Sequence, residues 1–312
     1  MEKEALVIVG PTAVGKSALA LELAERLGGE IVNADALQAY RRLEIGTGKP
    51  TPAERARVPH HLLDVLDPVE RYSAGEFARR AREVISEVAG RGRVPIVVGG
   101  SGLYLQALVE GISPLPTSDP GWRSRLRARA AADGLPVLRA ELQRLDPETA
   151  ARLGAGDTQR ILRALEVVLS TGVPLSRWIA RQPFGRTKLP VLAVGLTLPR
   201  AILYDRIARR ARGMIERGWV DEVRRLLHEG LDPETPAFQA IGYRQIVRHV
   251  SGEWSLEEAL TETVQATRRY AKRQETWFRK RREVVWLDPS TQHCAVAEAL
   301  WYSRHAGLGE TR

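Results

Sequence analysis

After the charged start Met1-Glu2-Lys3-Glu4, five consecutive apolar residues, Ala5-Leu6-Val7-Ile8-Val9, read as a parallel strand buried on both faces. Helical spacing follows through Leu19, Leu23 and Leu27, and Gly28-Gly29 closes that helix. Two further short apolar runs, Glu30-Ile31-Val32 and Val94-Pro95-Ile96-Val97-Val98, read as strands, and Ala74–Ala89 between them reads as a helix. This alternation predicts an α/β fold: a parallel sheet flanked by helices, with loops gathered at its carboxyl edge. Past Leu115 the pattern changes. Pro114, Pro116, Asp119 and Pro120 break the chain, and residues 119–189 read as helices without a strand. Strand character resumes at 190–196, helices run to about Arg282, and Val284-Val285-Trp286-Leu287 forms a last strand. The expectation is a discontinuous core, 1–118 with 190–312, around an all-helical insertion at 119–189.

Charge sharpens the picture of the insertion. It holds 13 Lys/Arg against 7 Asp/Glu, and the 312-residue chain carries a net charge of +9, which favours a polyanionic partner. Cys294 is the only cysteine, so an internal disulfide and a cysteine-clustered zinc site are both excluded. The first apolar run is too short for a signal-peptide core or a membrane span, and the expectation is a cytoplasmic protein without a membrane partner.

The first candidate chemistry lies directly after the first strand. Gly10-Pro11-Thr12-Ala13-Val14-Gly15-Lys16-Ser17 fits the P-loop pattern at every fixed position and opens a helix, as that motif requires. Gly10 and Gly15 permit the turn, successive N–H groups face phosphate oxygens, Lys16 supplies a point charge and Ser17 can ligate magnesium. The loop reads a di- or triphosphate, ATP included, without saying what is attached to it. A nucleotide hydrolase would place an acidic residue at the end of an apolar strand, but the run ending at Val98 gives Gly99-Gly100 instead. Asp35, at the end of the second strand, can serve as general base or magnesium partner, or simply as a turn or cap residue.

Further blocks follow in order: Asp35-Ala36-Leu37-Gln38-Ala39-Tyr40, Ile45-Gly46-Thr47-Gly48-Lys49-Pro50, Pro59-His60-His61-Leu62-Leu63-Asp64, Tyr72-Ser73-Ala74, Val98-Gly99-Gly100-Ser101-Gly102-Leu103-Tyr104, Asp157-Thr158-Gln159-Arg160, Ile241-Gly242-Tyr243-Arg244-Gln245 and Lys272-Arg273-Gln274-Glu275-Thr276-Trp277. With the phosphate loop, this series resembles the tRNA dimethylallyltransferase family over almost the whole chain.

The resemblance implies transfer of a dimethylallyl group from dimethylallyl diphosphate to the N6 amine of the tRNA adenosine just 3′ of the anticodon. Asp35 matches the family's base, Lys16 and Ser17 act on the diphosphate with Mg2+, and Ser101 lies near the acceptor base. Such a base must be flipped out of its stack to be reached. Segments matching tRNA contacts comprise Asp35, Ala36, Leu37, Gln38 and Ser101, then Arg123, Asp157, Thr158, Gln159, Arg160 and Ile161. Ala240, Ile241, Gly242, Tyr243, Arg244, Gln245, Lys272 and Arg273 complete them. The expected assembly is a monomer bound to the anticodon stem-loop.

Several residues also have plainer readings. Arg123 fits a solvated helix face with Arg125, Arg127 and Arg129. Residues 268–282 hold eight Lys/Arg and one Glu; the charges suit a phosphate track, while Tyr270 and Trp277, seven apart, suit a core stripe. Arg206 and Arg210 share a helical face and can reach a phosphate, with plain surface charge the favoured reading, and adjacent His60 and His61 lack metal-ligand spacing and suit pocket support. Ala36, Gly48, Ser101 and Thr158 depart from commoner family residues, and Ala36 removes one possible hydroxyl contact. Two other functions fit the loop: a small-molecule kinase with the insertion as a lid, and a nucleotide-gated RNA-binding protein.

Overall fold

The computed structural model describes residues 4–113, 115–116, 119–181, 188–288 and 293–306. Pro114, named above among the breaks, and residues 182–187 of the expected helical stretch lie outside that set. The chain forms two compact units, Met1–Val109 with Leu189–Arg312, and Glu110–Lys188. The first boundary falls earlier than the Pro-rich break, because the chain changes unit at the end of a helix rather than at the prolines.

In the first unit the leading elements are β1 (Ala5–Val9), α1 (Lys16–Leu27), β2 (Gly29–Asn33), α2 (Pro52–Arg57), β3 (His60–His61), α3 (Ala74–Gly90), β4 (Val94–Val98) and α4 (Gly102–Glu110). The second unit contains α5 (Pro120–Ala132), α6 (Leu135–Leu145), α7 (Pro147–Arg152), α8 (Thr158–Thr171) and α9 (Leu175–Arg181). The first unit resumes with β5 (Val191–Leu196), α10 (Arg200–Glu216), α11 (Trp219–His228), α12 (Tyr243–Val250), α13 (Leu256–Arg279), β6 (Val284–Leu287) and α14 (His293–Ala306). No helix among the described residues is long and apolar enough to cross a membrane.

Six strands form one sheet in the order β3-β2-β4-β1-β5-β6, with every pairing parallel. Alternation along β1 sends Leu6 and Ile8 to one face, against α1, α10 and α14, and Ala5, Val7 and Val9 to the other, against α3 and α4. That is why β1 is apolar without interruption. At the far end of α1, Gly28 adopts a left-handed φ of 59° and its N–H caps the Ala24 carbonyl.

Two elements escape the apolar pattern. Strand β3 has only two residues, too few for any periodicity. Helix α2 buries none of its side chains, and only its capping box, Thr51 with Glu54, marks it.

A separate core in the first unit gathers Trp219, Phe238, Tyr243 and Leu43 around a buried carboxylate, Glu222. Glu222 Oε2 accepts from the N–H groups of Glu44 (2.9 Å) and Ile45 (2.7 Å), and Oε1 accepts from the Tyr243 hydroxyl at 2.6 Å. Burial, and then the neighbouring Glu222, hold the Tyr243 proton in place well above the ordinary tyrosine range. In the second unit Leu126, Leu138, Leu142, Ile161 and Leu165 form the core. There the buried Glu166 meets Arg163 at 2.9 Å and Arg123 at 3.4 Å.

Glu222→Leu leaves the buried Tyr243 hydroxyl and the part-buried Glu44 and Ile45 N–H groups without their acceptor, at about 1–3 kcal/mol for each group that water does not reach. Calorimetry is expected to show a melting midpoint lowered by at least about 5 °C; an unchanged midpoint would mean that the 44–46 loop is held by other contacts.

Candidate active site

The carboxyl ends of β1, β4 and β2 are neighbours, so the loops leaving them share one edge of the sheet. The first is the phosphate loop. Gly10 has φ 139°, and a Cβ there would come within 2.6 Å of the Leu196 carbonyl oxygen, so only glycine lets the chain turn this close to β5. Helix α1 then starts at Lys16, whose Nζ donates to the Pro11 carbonyl at 2.8 Å. Burial pushes the Lys16 ammonium down to about 8; Asp35 opposes that shift and Arg210 adds to it.

The second loop is held by Asn33, the buried last residue of β2. Asn33 Oδ1 accepts from the Asp35 N–H at 3.0 Å, while its Nδ2 donates to the carbonyls of Asp35 (3.0 Å) and Leu62 (3.2 Å). Asp35 Oδ1 accepts from the Leu37 N–H at 2.9 Å. The turn reading and the site reading of Asp35 therefore coexist, since the same residue also lines the site cavity. Beyond it, the Gln38 side chain donates to the carbonyls of Thr47 (3.3 Å) and Gly48 (3.1 Å), tying this loop to the 44–49 loop that Glu222 anchors.

These loops enclose a cavity of about 280 Å³ lined by Thr12, Lys16, Ser17, Asp35, Arg206 and Arg210, among others. Both arginines line this cavity, Arg210 while still exposed to solvent, which favours the phosphate-reaching reading of their shared face. Arg206 also donates to the Val14 carbonyl at 3.2 Å. Their spacing revealed a shared face; that α10 carries this face along the phosphate loop is a tertiary fact. His60 lines the same cavity, with its Nδ1 2.9 Å from the Val58 carbonyl, and burial lowers its pKa. His61 instead meets Glu30 at 2.7 Å.

The third loop, Gly99–Ser101, brings in α13. Burial pushes the Tyr270 hydroxyl up to about 12, with Asp35 adding to the shift and hydrogen bonds to Ser101 and Gln274 opposing it. Tyr270 is half-buried with its hydroxyl close to Ser101 and Gln274, whereas Trp277 lies against Gly102. Gln274 Oε1 accepts from the Thr12 N–H at 2.9 Å, so that amide is withdrawn from the set expected to face phosphate. Gln274 was quoted above as part of a motif but given no role, because its partners are hundreds of residues away in sequence.

The expected tRNA-contact residues divide by exposure. Thr158, Gln159 and Arg160 are exposed on the first turn of α8 in the second unit, with Arg160 3.7 Å from the Asp157 carboxylate. Ile161 is fully buried, and Arg123 is turned toward Glu166. In the first unit Ala240 and Ile241 are half-buried and Arg244 is exposed, but Gly242, Tyr243 and Gln245 are buried, with Gln245 Oε1 accepting from the Gly242 N–H at 2.8 Å. The side chains of Ile161, Tyr243 and Gln245 are thus buried in the packing of their own units. Ala36 and Leu37 are half-buried beside Asp35. Lys272 and Arg273 are exposed along an open groove of about 530 Å³ that also includes Trp277 and Lys280, and the Arg273 guanidinium sits 5.7 Å from the Tyr270 ring centre.

A parallel sheet whose central strand feeds a glycine loop, a lysine and a helix defines a P-loop phosphate-binding protein. Residues 38–281 match the family model described as IPP transferase. The chain is 49% identical to a tRNA dimethylallyltransferase of Syntrophobacter fumaroxidans over 95% of this chain and 86% of that protein. It is 52% identical to one of Halorhodospira halophila over 89% and 91% respectively. Among solved structures, a tRNA isopentenylpyrophosphate transferase of Bacillus halodurans superposes with a TM-score of 0.71 at 36% identity, covering 99% of this chain and 98% of that one. A eukaryotic dimethylallyltransferase acting on tRNA superposes with a TM-score of 0.79 at 28% identity, covering 98% and 80%. The chain belongs to the IPP transferase family.

Because the Lys16 ammonium titrates near 8, it is partly deprotonated above that pH, and an anion bound beside it restores the proton. Calorimetry of inorganic diphosphate binding at about pH 8.5, repeated in buffers of different ionisation enthalpy, is expected to show proton uptake that Lys16→Arg removes. Equal uptake in both proteins would assign the proton to another group.

Proposed function

We propose that this enzyme transfers a dimethylallyl group from dimethylallyl diphosphate to the N6 amine of the adenosine 3′-adjacent to the anticodon in tRNA, releasing diphosphate. The observation that carries the reading is one cavity lined by three cations, Lys16, Arg206 and Arg210, together with a carboxylate, Asp35. Cations suit a leaving diphosphate, and a carboxylate suits an amine that must shed a proton. The names of the relatives, tRNA dimethylallyltransferase, support the acceptor.

In this reading the phosphate loop and Lys16 hold the diphosphate, and Arg206 and Arg210 add charge from α10. The adenine amine attacks the allylic carbon, the carbon–oxygen bond breaks with its electron pair passing to diphosphate, and Asp35 takes the amine proton. Ser101, beside Tyr270, orients the acceptor base. Ser17 would hold magnesium through its hydroxyl, a hard oxygen donor of the kind that ion prefers, and no cluster of three or more His, Cys, Asp or Glu able to hold a metal exists among the described residues. Magnesium bound there would supply neutralising charge at the leaving group. The tRNA is gripped by exposed cations: Lys272 and Arg273 on α13, Arg244 on α12, and Arg160 on the helical insertion, which we assign to the anticodon stem-loop.

Incubation with unmodified tRNA, magnesium and labelled dimethylallyl diphosphate is expected to label the tRNA; labelled diphosphate left intact, or ATP-dependent phosphorylation of a small molecule, would overturn the reading. Asp35→Asn keeps the turn oxygen but loses the base, so substrate binding is expected to persist while single-turnover transfer falls by about 10²–10⁴-fold. A near-normal rate would make Asp35 a turn residue only. In a filter-binding salt series, Lys272→Ala and Arg273→Ala are each expected to reduce the slope of log affinity against log salt by about 1; an unchanged slope would remove that residue from the phosphate track.

A further inference from the structure

Gln274 is buried on α13, and both ends of its amide are engaged across the molecule. Its Oε1 accepts from the Thr12 N–H, and its Nε2 donates to the Gly100 carbonyl, each at 2.9 Å. Thr12 belongs to the phosphate loop leaving β1, and Gly100 immediately precedes Ser101 in the loop leaving β4. Sheet hydrogen bonds fix the strands but end before these residues. One rigid planar group therefore spans the two loops where the sheet no longer does. The approach is close, since a Cβ at Gly100 would lie 2.1 Å from Nε2. One turn earlier on the same helix, the Tyr270 hydroxyl lies close to Ser101 and Gln274. A side-chain amide offers a donor and an acceptor at a fixed angle on one uncharged group at any ordinary pH.

We infer that Gln274 is a positioning residue that sets the spacing between the diphosphate loop and the acceptor-side loop at Ser101. The inference rests on the transfer reaction proposed above, which requires the allylic carbon and the adenine amine to be held about 3–3.5 Å apart before the bond forms. Gln274 touches neither reactant in this scheme; it acts through Thr12 and Gly100.

Gln274→Met keeps length and volume and loses both bonds. Its single-turnover rate is expected to fall about tenfold or more, with tRNA affinity unchanged and with magnesium diphosphate bound about tenfold more weakly, the scale of a buried hydrogen bond left unmade. Gln274→Glu supplies the readout that a purely structural role would not move. Ionised, it accepts from Thr12 but repels the Gly100 carbonyl; protonated, it donates to Gly100 as the amide does. Burial raises a carboxyl pKa, so its rate is expected to recover as pH falls from about 8.5 to about 6. Lys16, Asp35, Tyr270 and Arg273 carry or change charge in the same site, so each rate is divided by that of the unmutated enzyme at the same pH. A normal rate and normal diphosphate affinity in Gln274→Met, or a normalised Gln274→Glu rate that is flat with pH, would overturn the inference. Should Gln274→Met fail to fold, the Gln274→Glu profile decides. Should the unmutated enzyme transfer no label, the function proposed above fails, and Gln274 is judged by diphosphate affinity alone.

Discussion

The site depends on the burial of β1 on both faces. A strand with β4 on one side, β5 on the other and helices above and below has nowhere to shift, so Val9 ends at a fixed height and Gly10 must turn against the Leu196 carbonyl. Everything the phosphate loop does follows from that fixed exit. The parallel arrangement then brings β2 and β4 to the same edge, and their loops deliver Asp35 and Ser101 without any further device.

Charge in the first unit is handled in two ways. Glu222 is buried without a cation beside it among its hydrogen-bond partners, and backbone N–H groups with a tyrosine hydroxyl satisfy it, so its contribution is to shape a loop. The cavity does the reverse: Lys16, Arg206 and Arg210 converge without carboxylates enough to match them. A cation shut away from water is costly until an anion enters, and the depressed Lys16 ammonium records the cost of burial, which Asp35 offsets in part and Arg210 increases. The fold carries this imbalance because the surrounding sheet and helices are well packed.

Much of this was legible in the sequence, for identifiable reasons. Strands buried on both faces are continuous apolar runs, so β1, β4 and β5 stand out. The phosphate loop is a local motif whose meaning needs only its flanking strand and helix. The residues that escaped notice act at long range or lack periodicity. His60 and His61 form a strand by pairing with Ile31 and Val32, which no local pattern announces. Gln274 sits in a run of cations on α13 and could be recognised only once Thr12 and Gly100 were placed beside it. Tyr243 and Gln245 belong to a recognisable block, but membership could not separate side chains that face outward from those that hold a neighbour in place. Arg206 and Arg210 needed the position of α10, not its periodicity, to become cavity residues.

The insertion leaves the first unit after Val109 and returns at Leu189, where the Leu189 N–H donates to the Val109 carbonyl at 2.9 Å. The exit and re-entry of the chain are thus adjacent, and this bears on how the protein folds. Strand β5 must find β1 across most of the intervening sequence, a contact of high order whose loop-closure entropy grows with the length of free chain between them. The helices of the second unit have a core of their own, built from contacts close in sequence. Once those helices collapse, the excursion becomes a stub whose ends already lie together, and the search that joins β5 to β1 is shortened by the whole length of the insertion.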